Sequence, residues 1–236
     1  ERTLRCLWDT GAHLRAMGMA DSVGLDFHKT GYCSYISSLL LVKNRADLDS
    51  ISRAPGEMPY LFHFGHRHPA IFTLETSRGG GGALAALANL RCLGKEGYRA
   101  LLGHIVTLAE RLRARLEKAP FARLVNDYNY GPVTLFRVYP DGVDARAAYL
   151  EESRRPDKAE QLRRHNEYNR RVSAVLLRQM ESGQGFDVSL TSRYRMAACG
   201  EPIAALKSYV MSPFMTEAAM DELMECVAAA REEVGD

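Results

Sequence analysis

Ala20-Asp21-Ser22-Val23-Gly24-Leu25-Asp26-Phe27-His28-Lys29-Thr30-Gly31-Tyr32 is the stretch from which the fold of this 236-residue chain is read. Ser22 to Asp26 has the look of a short strand that ends at a polar cluster. An acid, an aromatic ring, a histidine and a lysine then follow in order. In open α/β sheets the carboxyl end of a strand is where ligands sit. A lysine placed there among apolar groups is expected to be partly desolvated, which disfavours the ammonium and frees the amine to condense with an aldehyde.

Outward from this stretch, residues 1–20 carry Leu4, Leu7, Leu14 and Met17 roughly at helical spacing. On the other side, Ser38-Leu39-Leu40-Leu41-Val42-Lys43 is a continuous apolar run, as expected of a strand buried on both faces of an α/β sheet. Arg53 to Pro69 holds three prolines, two glycines and three histidines and reads as an irregular exposed loop. Past the glycines 79–82, residues 83–118 give a long helical pattern that ends amphipathic, with Gly94 and Gly97 as points of bending.

Near Pro120 the character changes. Val133 to Val138 alternates like a strand, and Asp141-Gly142 marks a turn. Residues 157–181 form a polar, basic helix ended by Gly183 and Gly185. Strands at 188–196 and 203–210 follow, then a helix capped by Thr216. The pattern predicts an α/β fold in two parts: 1–119, the end of a larger α/β domain, and 120–236, a small α+β domain.

Composition narrows the function. With 31 basic and 29 acidic residues the net charge is +2, which gives no reason to expect nucleic acid or an anionic membrane as partner. No apolar stretch approaches the length of a membrane span. The first residues lack the apolar core of a secretory signal, and the sequence does not open with Met, so residue 1 is not expected to be the start of translation. Five scattered cysteines without C-x-x-C spacing suggest reduced thiols and a cytosolic setting. His63, His66 and His68 sit in an irregular loop without a visible fourth ligand, so no metal site is expected.

Three segments carry a family resemblance. Ala20-Asp21-Ser22, a five-residue strand and His28-Lys29 resemble the cofactor signature of group II pyridoxal-phosphate (PLP) decarboxylases, the group of the glutamate, aromatic amino acid, histidine and diaminobutyrate enzymes. Leu40-Leu41-Val42-Lys43-Asn44-Arg45-Ala46-Asp47-Leu48 is similar to the family's next strand at the same distance from the lysine. Ser77-Arg78-Gly79-Gly80 before a helix carrying Leu93-Gly94-Lys95-Glu96-Gly97-Tyr98 resembles a further family segment. The closing strand, Pro213 turn and terminal helix are similar as well.

The resemblance implies PLP-dependent transferase fold type I and α-decarboxylation of an L-amino acid. It implies that Lys29 forms the internal aldimine, with His28 against the cofactor phosphate and Asp26 within the cofactor site. Ser77 and Arg78 would reach a phosphate across a homodimer seam, and Tyr60 would protonate substrate Cα. Two family elements upstream of the lysine, an aspartate for the pyridinium nitrogen and a ring stacked on the cofactor, have no match here; Asp9 lies outside the family pattern. The chain is therefore expected to need an upstream half or a companion chain, and to be inactive alone. The rivals are a PLP carbon–carbon lyase of the sphingosine-phosphate lyase type, which shares the His-Lys pair, and a non-catalytic subunit that keeps the fold.

Overall fold

The computed structural model describes residues 2–63, 65, 68–73 and 79–235. Its contacts divide the chain into two compact units, Asp9–Arg99 and Glu1–Trp8 with Ala100–Asp236. Among the described residues no helix is long and apolar enough to cross a membrane.

The chain opens with helix α1 (Arg2–Ala16) and a 3₁₀ turn at Met17–Met19, a helix followed by a turn as residues 1–20 led one to expect. Strands β1 (Ser22–Asp26) and β2 (Ser38–Val42) form an antiparallel ribbon, Ser22 opposite Val42 and Asp26 opposite Ser38. Here the structure corrects an expectation. Leu39, Leu40 and Leu41 are 40%, 58% and 49% exposed rather than buried on both faces. Their apolar side chains fit a sheet interior, but among the described residues β2 pairs with β1 alone.

The loop after β2 also departs from the expected exposed coil. Two short 3₁₀ turns, Pro59–Phe62 and Pro69–Phe72, bury Leu61, Ala70 and Ile71 in a small cluster with Met58, Phe62 and Phe72. Helix α2 (Gly81–Lys118) is long as expected, and it breaks at Gly94, whose backbone (φ 57°, ψ −168°) is non-helical. That region is essentially restricted to glycine.

In the unit of Ala100–Asp236, strands β3 (Ala122–Leu124) and β4 (Val133–Val138), helices α3 (Ala145–Arg154) and α4 (Ala159–Glu181), strands β5 (Val188–Met196) and β6 (Pro202–Tyr209) and helix α5 (Glu217–Val234) make an α+β arrangement. The sheet is fully antiparallel in the order β3-β4-β6-β5. Alternate strand residues feed two apolar clusters, as a period of two requires. Phe136, Val138 and Leu206 join Leu112 and Leu116 of α2, Val172 of α4 and Val227 of α5 in one. Tyr139, Ile203 and Ala205 join Ala148 and Tyr149 of α3 in the other. The first turn of α1 belongs to this unit, where Arg2 pairs with Glu110 and the buried Cys6 thiol donates to the Asp127 carbonyl at 3.3 Å.

Three buried asparagines complete the sheet where strand pairing stops. Asn169 Oδ1 accepts from Val138 N at 3.0 Å and its Nδ2 donates to Val138 O at 2.8 Å. Asn166 does the same for Ala204 N (3.0 Å) and Pro202 O (2.8 Å). Asn126 serves Leu135 N (2.8 Å) and Val133 O (3.0 Å). A carboxamide presents an N–H donor and a C=O acceptor side by side, as a strand's backbone does, so each side chain stands in for a missing strand.

Behind them lies a dry charged network. Arg137, with no exposed surface, reaches Glu152 Oε2 at 3.2 Å, Asn166 Oδ1 at 2.7 Å and Tyr139 Oη at 3.1 Å. His165 pairs with the other Glu152 oxygen.

Replacing Asn169 with Ala strands the N–H and C=O of Val138 in the interior. At about 1–3 kcal/mol for each unsatisfied group, we expect a loss of about 2–5 kcal/mol, read as a lowered midpoint with an unchanged slope in urea unfolding.

Candidate active site

The residues expected to carry chemistry sit where β1 leaves the ribbon. Asp26 closes the strand, Phe27 to Gly31 form a tight turn, and Ser37-Ser38 bring the chain back opposite Asp26. His28 N donates to Ser37 O at 3.1 Å, and His28 Nδ1 lies 3.0 Å from the same carbonyl. Inside the turn, Lys29 N donates to Asp26 O (3.2 Å), Tyr32 N to Lys29 O (3.0 Å) and Cys33 N to Phe27 O (3.0 Å). Gly31 is required here, since a Cβ would stand 2.6 Å from Phe27 Cα and Phe27 O. The His28 ring packs against Tyr35 with centroids 4.2 Å apart.

Lys29 Nζ bonds Asp26 Oδ2 at 2.6 Å, and Ser38 Oγ bonds Asp26 Oδ1 at 2.8 Å. Those two hydrogen bonds hold the Asp26 carboxyl below the usual aspartate range, the lysine contributing most. The Lys29 side chain is 44% exposed and ion-paired with Asp26.

The start of α2 joins the same cluster. Ser37 Oγ donates to Gly82 O at 2.9 Å, so the helix N-terminus and His28 share one residue between them. Ser77 and Arg78, expected to bind phosphate, lie outside the described residues, as does His66. Tyr60 is 56% exposed on the 3₁₀ turn Pro59–Phe62, its hydroxyl 3.6 Å from Met58 Sδ. His68 caps its own 3₁₀ turn by accepting from Ala70 N. Among the described residues no cluster of His, Cys, Asp and Glu could hold a metal.

Thus Asp26, His28 and Lys29 are brought together in one turn. Tyr60 is engaged elsewhere. Four residues of the site escape a sequence reading: Ser37 and Ser38, and Asn89 and Tyr98 of α2, which bond the Gly31 carbonyl. The available signal was Asn89, a polar residue inside an Ala- and Leu-rich helix that asparagine does not favour. A cavity of about 390 Å³ lies elsewhere, lined by Pro140 and the α4 residues Arg164, His165, Glu167, Tyr168 and Arg171.

The class of fold follows from comparison with solved structures. The glutamate decarboxylase domain of diaminobutyrate-pyruvate transaminase and L-2,4-diaminobutyrate decarboxylase from Vibrio parahaemolyticus superposes with a TM-score of 0.59 over 95% of this chain and 37% of that one, at 17% identity. The Oryza sativa TDC crystallised with PLP and tryptamine gives 0.62 over 95% and 39%, at 15% identity. The chain therefore has the type I fold of the PLP-dependent decarboxylases, covering part of the large domain, as the sequence led one to expect.

In sequence it is similar to a probable L-tyrosine/L-aspartate decarboxylase of Methanosarcina acetivorans, 34% identical over 104 residues, or 44% of this chain and 24% of that protein. An L-tyrosine decarboxylase of Enterococcus faecium is 33% identical over 112 residues, 45% of this chain and 18% of the relative. No family model matches. The chain thus spans a minor part of the length of these proteins, and both relatives similar in sequence are named as decarboxylases.

The lowered Asp26 carboxyl fixes a pH dependence. A depressed folded value means that the ion pair with Lys29 stabilises the turn fully above the ordinary aspartate value and loses that stabilisation as pH falls through the lowered one. Exchange of the His28 and Lys29 amides, corrected for intrinsic rates, should accelerate in that acidic window. In Asp26→Asn the step should be absent.

Proposed function

We propose that the chain is the lysine-bearing part of a PLP-dependent enzyme that removes the α-carboxylate of an L-amino acid. The observation that carries this reading is the Lys29 turn: an amine at the carboxyl end of a strand, held by Asp26, next in sequence to His28, in a turn that Ser37 ties to the start of α2. The donors suit the cofactor. A primary amine can hold an aldehyde, and an imidazole beside helix-terminal N–H groups favours a phosphate. When bound, PLP supplies an electron sink for the charge left at substrate Cα.

The chain's own residues divide the work. Lys29 Nζ holds the cofactor. Asp26 keeps that amine oriented and would share it with the cofactor aldehyde. His28, Ser77 and Arg78 supply phosphate contacts. Tyr60 Oη would deliver the proton to substrate Cα after carbon dioxide leaves, giving up its contact with Met58 Sδ.

Residues 1–119 are assigned to the large cofactor domain and 120–236 to the small domain. The exposed leucines of β2 support a further polypeptide, the upstream half of the same domain or a companion chain, that supplies neighbouring strands. Two copies of the completed protein would form a homodimer with the active site at its seam, and the setting is cytosolic.

Incubation with PLP and borohydride should attach the cofactor to Lys29, seen as a mass shift on its peptide and lost in Lys29→Ala. Carbon dioxide release from an L-amino acid should appear once the upstream half is supplied, and the chain alone should release none. An unlabelled Lys29 in the completed protein overturns the assignment.

A further inference from the structure

Helix α2 reaches the Lys29 turn at two points. Asn89 Nδ2 donates to Tyr32 O at 2.8 Å and lies 3.1 Å from Gly31 O and 3.5 Å from Cys33 Sγ. Tyr98 Oη donates to the same Gly31 carbonyl at 3.0 Å. Burial raises the pKa of this phenol, so it remains a donor well above neutral pH. The residues gripped follow Lys29 directly. They include Tyr32, whose backbone sits in the left-handed region at φ 55° and would relax without restraint.

Asn89 and Tyr98 are nine positions apart. In a continuous α-helix nine residues rotate through two and a half turns, leaving the two side chains roughly 180° apart on opposite faces. They nonetheless meet on one carbonyl. The break at Gly94, with φ 57° and ψ −168°, lies between them and interrupts the helical rotation that would otherwise separate them.

We infer that Asn89 and Tyr98, aligned by the Gly94 break, are positioning residues that set the Lys29 amine by clamping the carbonyls of Gly31 and Tyr32. Their hydrogen bonds go to the backbone that follows Lys29. They fix the backbone on its C-terminal side, while Ser37 fixes His28 on the other. A turn of this kind, left to itself, would present the amine over a range of positions, and a bond-forming lysine loses rate with each fraction of an ångström. The inference rests on the reading of Lys29 as the cofactor amine.

The test uses the full chain and two readouts. Amide exchange at Tyr32 and Cys33, both donors within the turn, reports the clamp. The ratio of PLP attached by borohydride to Lys29 over that attached to the exposed Lys118 reports the amine. Asn89→Ala and Tyr98→Phe should each raise exchange at both amides by about tenfold, the effect of losing one hydrogen bond from local stability. Each should lower the labelling ratio several-fold. Gly94→Ala should do both at once. Tyr98→Phe deletes a single oxygen and keeps the ring, so the test survives a folding failure of the other two.

Unchanged exchange overturns the clamp. Faster exchange with an unchanged ratio overturns the positioning role. Completed protein, with the upstream half supplied, that takes no label at Lys29 overturns the cofactor reading instead, and the exchange data still decide the clamp.

Discussion

The carbonyl of Ser37 is the point on which the ribbon and its turn depend. It takes the backbone N–H of His28 and stands beside the His28 ring, and this closes the chain between β1 and β2. The same residue's hydroxyl reaches Gly82, so the start of α2 is fixed to the turn that it faces. Without this tie, Asp26 and Lys29 would still attract one another, but an exposed pair is worth little by itself. Order here comes from the backbone, and the charges occupy a frame that hydrogen bonds have already set.

The two units illustrate different sources of stability. Ala100–Asp236 has a layered interior in which helices cover a four-stranded sheet and buried asparagines finish its unpaired backbone. Asp9–Arg99 has a two-stranded ribbon with exposed leucines, a small cluster around Ile71 and a network of turn hydrogen bonds. An isolated two-stranded ribbon is marginal in water, so the turn network and the α2 clamp matter more here than core packing does.

What could be read in advance follows from these differences. The strand, acid, histidine and lysine lie within a few residues, so local pattern sufficed to find them. The break at Gly94 was legible because glycine interrupts a helical pattern by its own chemistry. The burial of β2 was misjudged because an apolar run states what a strand prefers to touch, not what is there to touch it. Asn89 could not be connected to Gly31 from the sequence, since the link spans 58 positions and passes through a helix break. Helix α3 and the short β3 have no counterpart among the expected elements. α3 is only ten residues long, with Asp144 capping its start as the clearest cue. Ser77 and Arg78 lie outside the described residues, and their roles rest on resemblance.

The buried group of Arg137, Glu152 and His165 has a bearing on how this domain can diverge. An apolar trio of similar volume would fill the same space, and such exchanges often leave a protein as stable as before or more so. Yet any intermediate that loses Arg137 or Glu152 alone leaves the other's charge buried with its principal counterpart gone. The trio is consequently separated from its hydrocarbon equivalent by a valley that single changes must cross. Descendants of this chain should therefore keep the set or replace it together, whatever happens to the surface around it.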